Sequence, residues 1–149
     1  MRLKKPTKEL VETYRREFED KNKQDEDAIK ELFKIFPDNT DYKSVLLKSV
    51  LINTFYYTQI RAINIVARHI VGLDIDARLK QGDLDVVEQI ANVPIKTKKK
   101  EKKRRNYSFA TKYCSFHQPD LYPIYDSIVA KTLKAYQSKS DSCLNRLVI

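Results

Sequence analysis

The chain has 149 residues, a hydrophobic fraction of 42% and a net charge of +9. This length is typical of one domain, and nine Tyr and six Phe supply enough apolar material for one core. The two glycines, Gly72 and Gly82, exclude a Walker phosphate loop and a dinucleotide fingerprint, and they argue against a hairpin-rich β fold.

Apolar residues recur at helical spacing through the first half of the chain, which predicts amphipathic helices. The stripe that contains Ile60, Ile63 and Ile70 is wide enough for a central, buried helix. Pro37 stops one predicted helix, and Gly72 suits the end of another. The predicted helices of this half cover residues 6–21, 25–36, 42–55 and 58–72.

The second half of the chain continues the helical pattern on both sides of a basic run. Short helices are predicted over residues 76–80 and from Asp83 to before Pro94. Longer ones are predicted over 107–116 and from Pro123 to Lys139. The sequence therefore predicts an all-α, multi-helix bundle with one basic loop. We expect a single domain over 1–149, with N-terminal helices in 1–40, a core in 41–137 and a loosely held tail in 138–149.

The cysteines and the N-terminus indicate where such a chain works. Cys114 and Cys143 lack the CxxC spacing of a zinc site, so both are expected to be reduced thiols. The first residues lack the apolar stretch of a signal peptide, and no segment is long and apolar enough to span a membrane. We expect a cytoplasmic protein without a metal or cofactor, and the sequence does not predict its oligomeric state.

The positive charge is concentrated in one segment. Residues Lys96 to Arg105 hold eight Lys or Arg against one Glu, which accounts for +7 of the net +9. Such a run gains free energy near a polyanion because it releases condensed counterions. DNA is the expected partner, with RNA as the alternative nucleic acid and an anionic membrane surface as the second kind of polyanion. A solvated loop or a targeting-like basic tract is the plainer interpretation. The predicted nucleic-acid-binding residues are Lys98, Lys99, Lys100, Lys102, Lys103, Arg104 and Arg105.

A dense motif follows the basic run. Residues 107–129 read YSFATKYCSFHQPDLYPIYDSIV, and this block resembles one found in a group of uncharacterised bacterial proteins. The upstream stretch of residues 51–91 is similar to the same group, so the resemblance covers about residues 45–137. More distantly, the order of helix, proline turn, aspartate and helix is similar to the second half of the helix-hairpin-helix DNA glycosylase domain. The resemblance implies a DNA-glycosylase-like core.

This distant resemblance implies roles for particular residues. Asp126 would be the catalytic carboxylate and Lys112 the amine nucleophile of a base-excision enzyme. Glycosylases of that superfamily grip phosphate with a Gly-rich hairpin, whereas the corresponding position here reads Arg-Arg-Asn-Tyr. Phosphate binding would therefore fall to the basic run. The remaining residues assigned to a base pocket are Tyr56, Tyr57, Arg61, Tyr113, His117, Tyr122 and Tyr125.

The chemistry of base excision explains these assignments, but each residue also has a plainer interpretation. A desolvated carboxylate stabilises the positive charge that builds on the sugar, and tyrosines can stack on an extruded base. Asp126 could instead cap the last helix, and Lys112 could be a solvated surface lysine. The tyrosines could be core packing, and His117 could bind the last carbonyl of its helix. The rival hypothesis is a non-catalytic helical module that binds nucleic acid or protein.

Overall fold

The computed structural model describes residues 7–96 and 101–144, with side chains for residues 7–94 and 105–137. The described chain is mostly helical, which confirms the predicted fold class in its coarse form. No described helix is long and apolar enough to cross a membrane. The elements are α1 (Lys8–Ile35), α2 (Tyr42–Phe55), α3 (Ile63–Val71), α4 (Asp76–Lys80), α5 (Asp85–Ala91), β1 (Asn92–Lys96), β2 (Glu101–Arg105), α6 (Tyr107–His117) and α7 (Ser127–Leu144).

The first helix is longer than predicted. A break was predicted near Asp25, whereas α1 runs for 28 residues without interruption. The segment between the two predicted helices contains Lys, Asn, Gln and Asp but neither Gly nor Pro. Its residues cost little in a helix, so nothing local forces the break. The prediction of two helices was wrong here.

The chain divides into two units. The described part of the first unit consists of residues 7–23, which contain the beginning of α1, and residues 126–144, which contain α7. Asp126 lies just before α7, and its Oδ1 accepts hydrogen bonds from the backbone N–H groups of Ile128 (2.9 Å) and Val129 (3.0 Å). α7 continues to Leu144, into the segment predicted to be a loosely held tail. Residues 145–149 lie outside the described residues.

The second unit, residues 24–125, contains the main core. α2 packs against α3 and α6, and α5 packs against α6. Their shared interior includes the fully buried Val45, Ile52, Ile70, Ile90 and Tyr113. Burial of a large apolar side chain contributes about 1.5–3 kcal/mol, so this interior is the main source of stability of the unit.

The connection between α2 and α3 is held by one amide. Asn53 Oδ1 accepts hydrogen bonds from Ile60 N (2.9 Å) and Thr58 Oγ1 (2.7 Å). Tyr57 and Gln59 adopt positive φ angles of 48° and 55°, a conformation that a helix does not contain. The helix predicted from residue 58 therefore begins only at Ile63.

The described part of the predicted basic loop is β-strand, which makes the loop prediction wrong there. β1 and β2 pair antiparallel, with Asn92 opposite Arg105 and Lys96 opposite Glu101, while residues 97–100 lie outside the described residues. β1 packs against α3 and α5, where Val93 is fully buried. The charge of this segment favoured a loop, and the period-two pattern that starts at Val93 is too short to stand out beside it.

Candidate functional site

The hairpin formed by β1 and β2, here called the basic hairpin, carries most of the predicted nucleic-acid-binding residues. Lys102, Lys103, Arg104 and Arg105 belong to β2, and residues 98–100 lie outside the described residues. Arg105 is exposed, pairs with Glu88 at 2.5 Å and lies over the Tyr107 ring at 4.7 Å. This ion pair fixes the end of the hairpin against α5 and contributes little stability because both groups are exposed.

The amine proposed from the resemblance lies inside the protein. Lys112 is 3% exposed, and its Nζ donates a hydrogen bond to Ser108 Oγ at 2.9 Å. The same ammonium lies 5.6 Å from the centre of the Tyr56 ring, a cation–π distance. The interpretation of Lys112 as a solvated surface lysine is therefore wrong. Its role as a nucleophile stays a prediction.

A second buried lysine organises a polar cluster that the sequence analysis did not find. Lys48 of α2 is 0% exposed, and its Nζ donates hydrogen bonds to Phe36 O, Asp38 O and Asn39 Oδ1, each at 2.9 Å. Three acceptors match the three N–H groups of an ammonium. Lys48 thus ties the segment that follows α1 to α2, and its enclosed amine cannot reach a ligand.

The side chain of Asn39 is the centre of this cluster. Its Oδ1 also accepts a hydrogen bond from Tyr113 Oη at 2.5 Å and lies 3.1 Å from His117 Nε2. Its Nδ2 and its backbone N–H both donate to the carboxylate of Asp76. We call Asn39, Lys48, Asp76, Tyr113 and His117 the polar cluster. Buried polar groups are stable only when they have partners, and each member finds one in another member.

Burial sets the charge states within the polar cluster. Desolvation lowers the pKa of Lys48 to about 8, while Asp76 and Asp38 oppose the shift. Desolvation, followed by the charge of Lys48, lowers the pKa of His117 to about 3. Burial raises the pKa of Tyr113 well above 10. At neutral pH the cluster therefore holds a mostly protonated Lys48, a neutral imidazole and a neutral phenol.

The position of His117 differs from the plainer prediction, in which it only binds the last carbonyl of its helix. It is the last residue of α6, and its Nε2 lies 3.3 Å from Lys48 Nζ. Its ring meets those of Phe33 and Tyr113 at centroid distances of 4.7 Å and 5.2 Å. The side chain thus belongs to a tertiary cluster rather than only to the end of its helix.

The residues assigned to a base pocket do not form one group. Tyr56, Tyr113 and His117 lie near the polar cluster: the Tyr56 ring contacts Phe116 at 5.8 Å, and Phe116 neighbours His117. Tyr57 and Arg61 are exposed on the α2–α3 connection, Tyr57 by 83%.

Tyr122 and Tyr125 occupy a different place. They line a pocket of about 250 Å³ together with Tyr107 and Thr111. Tyr122 is buried and donates a hydrogen bond to Asp83 O at 3.1 Å. Thr111 Oγ1 donates to Tyr125 O at 2.9 Å. For Tyr113 and Tyr122 the packing interpretation is confirmed, whereas a role in base binding stays a prediction.

Asp126 acts as the N-cap of α7, which confirms its plainer interpretation. A cap and a catalytic carboxylate can be the same group, so the assigned catalytic role stays a prediction. Among the described residues, no group of His, Cys, Asp and Glu could hold a metal ion. Burial raises the pKa of Cys114 to about 12, which makes this thiol unreactive.

One sequence signal could have revealed Lys48. It stands in the run Val45 to Ile52, which is apolar apart from Lys48 and Ser49, at helical spacing from both ends of that run. A lysine on the buried face of a helix needs oxygen acceptors inside the protein. Asn39 and Asp76 give no comparable signal, because their partners come from segments that are distant in sequence.

Comparison with known proteins gives two matches. Residues 7–121 match the family HI_0787_N, which is described as an N-terminal domain. A Haemophilus influenzae protein, named only as uncharacterized, is 46% identical over 105 residues, which are 70% of this chain and 50% of that protein. The chain therefore spans about half the length of this curated relative. No solved structure matches the chain. Because the matched region covers most of its residues, the chain belongs to the HI_0787_N family.

Proposed function

We propose that this domain binds DNA through the basic hairpin. The observation that carries the proposal is the concentration of eight Lys or Arg and one Glu in residues 96–105, of which Lys96 and residues 101–105 lie on a two-stranded antiparallel ribbon. The major groove of B-DNA is wide enough to admit such a ribbon. β1 anchors the ribbon on α3 and α5, so the body of the domain can hold it against a duplex.

The strength of this binding is expected to depend steeply on salt. Each phosphate that a Lys or Arg neutralises contributes about −0.9 to the slope of log K against log salt for duplex DNA. Five to seven phosphate contacts by the hairpin would give a slope of about −5 to −6. Removal of five lysines would reduce that slope by up to about 4.5.

The test measures fluorescence anisotropy of labelled duplex DNA, single-stranded DNA and duplex RNA between low and physiological salt. We expect duplex DNA to bind most tightly and with the slope given above. The hairpin variant replaces Lys98, Lys99, Lys100, Lys102 and Lys103 with Gln and should bind at least tenfold more weakly with a flatter slope. Tighter binding of duplex RNA than of duplex DNA would make RNA, and not DNA, the partner of the basic hairpin.

A matched control removes the same charge elsewhere. Replacing the exposed lysines at 21, 23, 43, 131 and 134 with Gln lowers the net charge equally without touching the hairpin. This control should retain most of the affinity and the slope of the unmodified protein. Equal weakening in both variants would mean that net charge alone, and not the hairpin, determines binding.

A more specific proposal is that the domain also removes a modified base from the DNA that it binds. Its support is the resemblance of residues 107–129 to the glycosylase domain, which assigns Asp126 as the carboxylate and Lys112 as the amine. The aromatic pocket lined by Tyr107, Tyr122 and Tyr125 is a candidate holder for a base that has left the stack.

A screen against oligonucleotides that carry different modified bases, scored for abasic sites, tests this more specific proposal. Asp126→Asn is the informative variant, because Asn caps a helix about as well as Asp and only the charge is lost. It should abolish base release and leave DNA binding nearly unchanged. Lys112→Gln separates the role of the amine from that of the carboxylate. A lyase activity that needs the amine would disappear, while base release would continue.

Two results would favour the non-catalytic module. One is tight, salt-dependent DNA binding with no abasic product from any substrate. The other is base release that survives Asp126→Asn, which would remove this carboxylate from the reaction. In either case the basic hairpin would keep its proposed role, because the binding assay is independent of catalysis.

A further inference from the structure

A second and larger pocket lies in the unit of residues 24–125. Its volume is about 540 Å³, within the range of sites that hold small organic ligands. Phe33, Tyr56 and Phe116 are among the residues that line it. The Phe116 ring lies 5.4 Å from that of Phe33 and 5.8 Å from that of Tyr56. Three adjoining rings offer an aromatic surface on which a planar ligand can pack.

The charged residues that line this pocket are mainly positive. They are Lys30, Lys34 and Lys80, with Glu26 as the single acid. Lys30 is paired with Glu26 at 2.7 Å. Lys34 and Lys80 are exposed, and neither forms an ion pair with a residue of the described chain. The lining therefore keeps two cations that a bound anion could neutralise.

The polar cluster reaches this pocket through one side chain. Of its five members, His117 alone lines the pocket. The imidazole is neutral at physiological pH, so it offers hydrogen bonding without a charge of its own. The enclosed ammonium of Lys48, 3.3 Å from His117 Nε2, adds positive charge behind that wall. Asn39, Tyr113 and Lys48 hold the imidazole in a fixed position.

We propose that this pocket binds a small molecule that carries both a planar aromatic ring and an anionic group. The ring packs on Phe33, Tyr56 and Phe116, and the carboxylate or phosphate pairs with Lys34 and Lys80. The proposal is independent of DNA binding, because none of the lining residues belongs to the basic hairpin.

Isothermal titration calorimetry with matched pairs of probes tests the proposal. Adenosine 5′-monophosphate and adenosine share a ring and differ in the phosphate. Indole-3-acetate and indole-3-acetamide share a ring and differ in the charge. We expect at least one anion to bind at least tenfold more tightly than its neutral partner. Inorganic phosphate, which lacks the ring, should bind more weakly than that anion.

Variants of the lining locate the site. Replacing Lys34 and Lys80 with Gln should weaken the anion about fivefold or more and leave the neutral partner unchanged, because exposed charges are removed and the fold is untouched. Phe116→Leu should weaken both members of the pair, since it removes part of the ring surface. The control replaces Lys21 and Lys23, which are also exposed and lie outside the pocket, with Gln.

The hairpin variant defined above provides the remaining control. It should bind the anion as the unmodified protein does, which separates this pocket from general attraction to the basic hairpin. The proposal would be overturned if neither anion bound up to millimolar concentration, if both anions bound no more tightly than their neutral partners, or if the variant that lacks Lys34 and Lys80 bound the anion as tightly as the unmodified protein. Loss of anion binding in the hairpin variant would also overturn it.

Discussion

The imidazole of His117 predicts how the stability of the protein depends on pH. In the folded protein, burial and the charge of Lys48 lower its pKa to about 3, whereas an unfolded histidine has a pKa of about 6.5. Below pH 6.5 the unfolded chain therefore binds a proton that the folded chain does not. His117 contributes its full stabilisation above this pH, and that contribution is lost as the pH falls towards 3.

The size of the effect follows from the shift. Between pH 7.5 and pH 5.0 the imidazole of the unfolded chain becomes almost fully protonated. Proton uptake integrated over this interval is equivalent to about 1.5 pH units, and at 1.36 kcal/mol per unit it lowers the free energy of unfolding by roughly 2 kcal/mol. The ring lines a pocket and is only half-buried, so solvent screening reduces this figure. We expect His117 to account for about 1–2 kcal/mol of the free energy lost over this interval.

The assay is urea denaturation followed by far-UV circular dichroism at pH 7.5 and pH 5.0. The comparison variant is His117→Gln, whose amide can still donate to Asn39 Oδ1 but cannot take up a proton. Carboxylates titrate in both proteins and cancel in the comparison. The unmodified protein should lose about 1–2 kcal/mol more than the variant. An identical loss in the two proteins would refute a depressed pKa at this position.

Three substitution pairs test other features of the structure by the same denaturation assay. Lys48→Met leaves buried oxygens without their donor and should cost about 3 kcal/mol of stability. Lys43→Met, on the exposed face of α2, should cost little. Similar losses in the two variants would argue against the buried hydrogen bonds of Lys48. Gly82→Ala should cost about 1 kcal/mol because the φ angle of Gly82 is +74°. Gly72→Ala should be close to neutral, because the added Cβ meets only ordinary contacts at 3.5 Å or more. A larger loss of stability at Gly72 than at Gly82 would contradict the positive φ angle of Gly82. Asp126→Ala should cost about 1 kcal/mol and Asp126→Asn a few tenths, and an equal cost would exclude a simple cap.

Much of the helical framework could be predicted because its signals are local. Apolar spacing located α2 and α6 closely, and Gly72 and Pro94 marked real ends of the helical pattern. The break predicted near Asp25 and the loop predicted over the basic run were wrong. In both cases polar composition was interpreted as a lack of regular structure, although nothing in either segment prevents backbone hydrogen bonding.

The candidate site was less predictable because its partners are far apart in sequence. The acceptors of Lys48 come from the segment after α1, and His117 reaches them from the end of α6. The apolar neighbours of Lys48 indicate that it is buried, whereas the neighbours of Asn39 and His117 give no such signal. The charge of the basic hairpin, in contrast, is visible in the sequence itself, so the proposed DNA-binding residues could be named before the structure was known.

The position of Asn39 has a consequence for how this unit opens. Its side chain and backbone bond to Lys48 on α2, Tyr113 and His117 near the end of α6, and Asp76 on α4. When any one of these helices separates, the hydrogen-bonding groups on the other helices lose a shared partner. The local unfolding of these helices should therefore be coupled. Double-mutant cycles through Asn39 should be strongly non-additive, and amide hydrogens of α2 and α6 should exchange with solvent through a common opening.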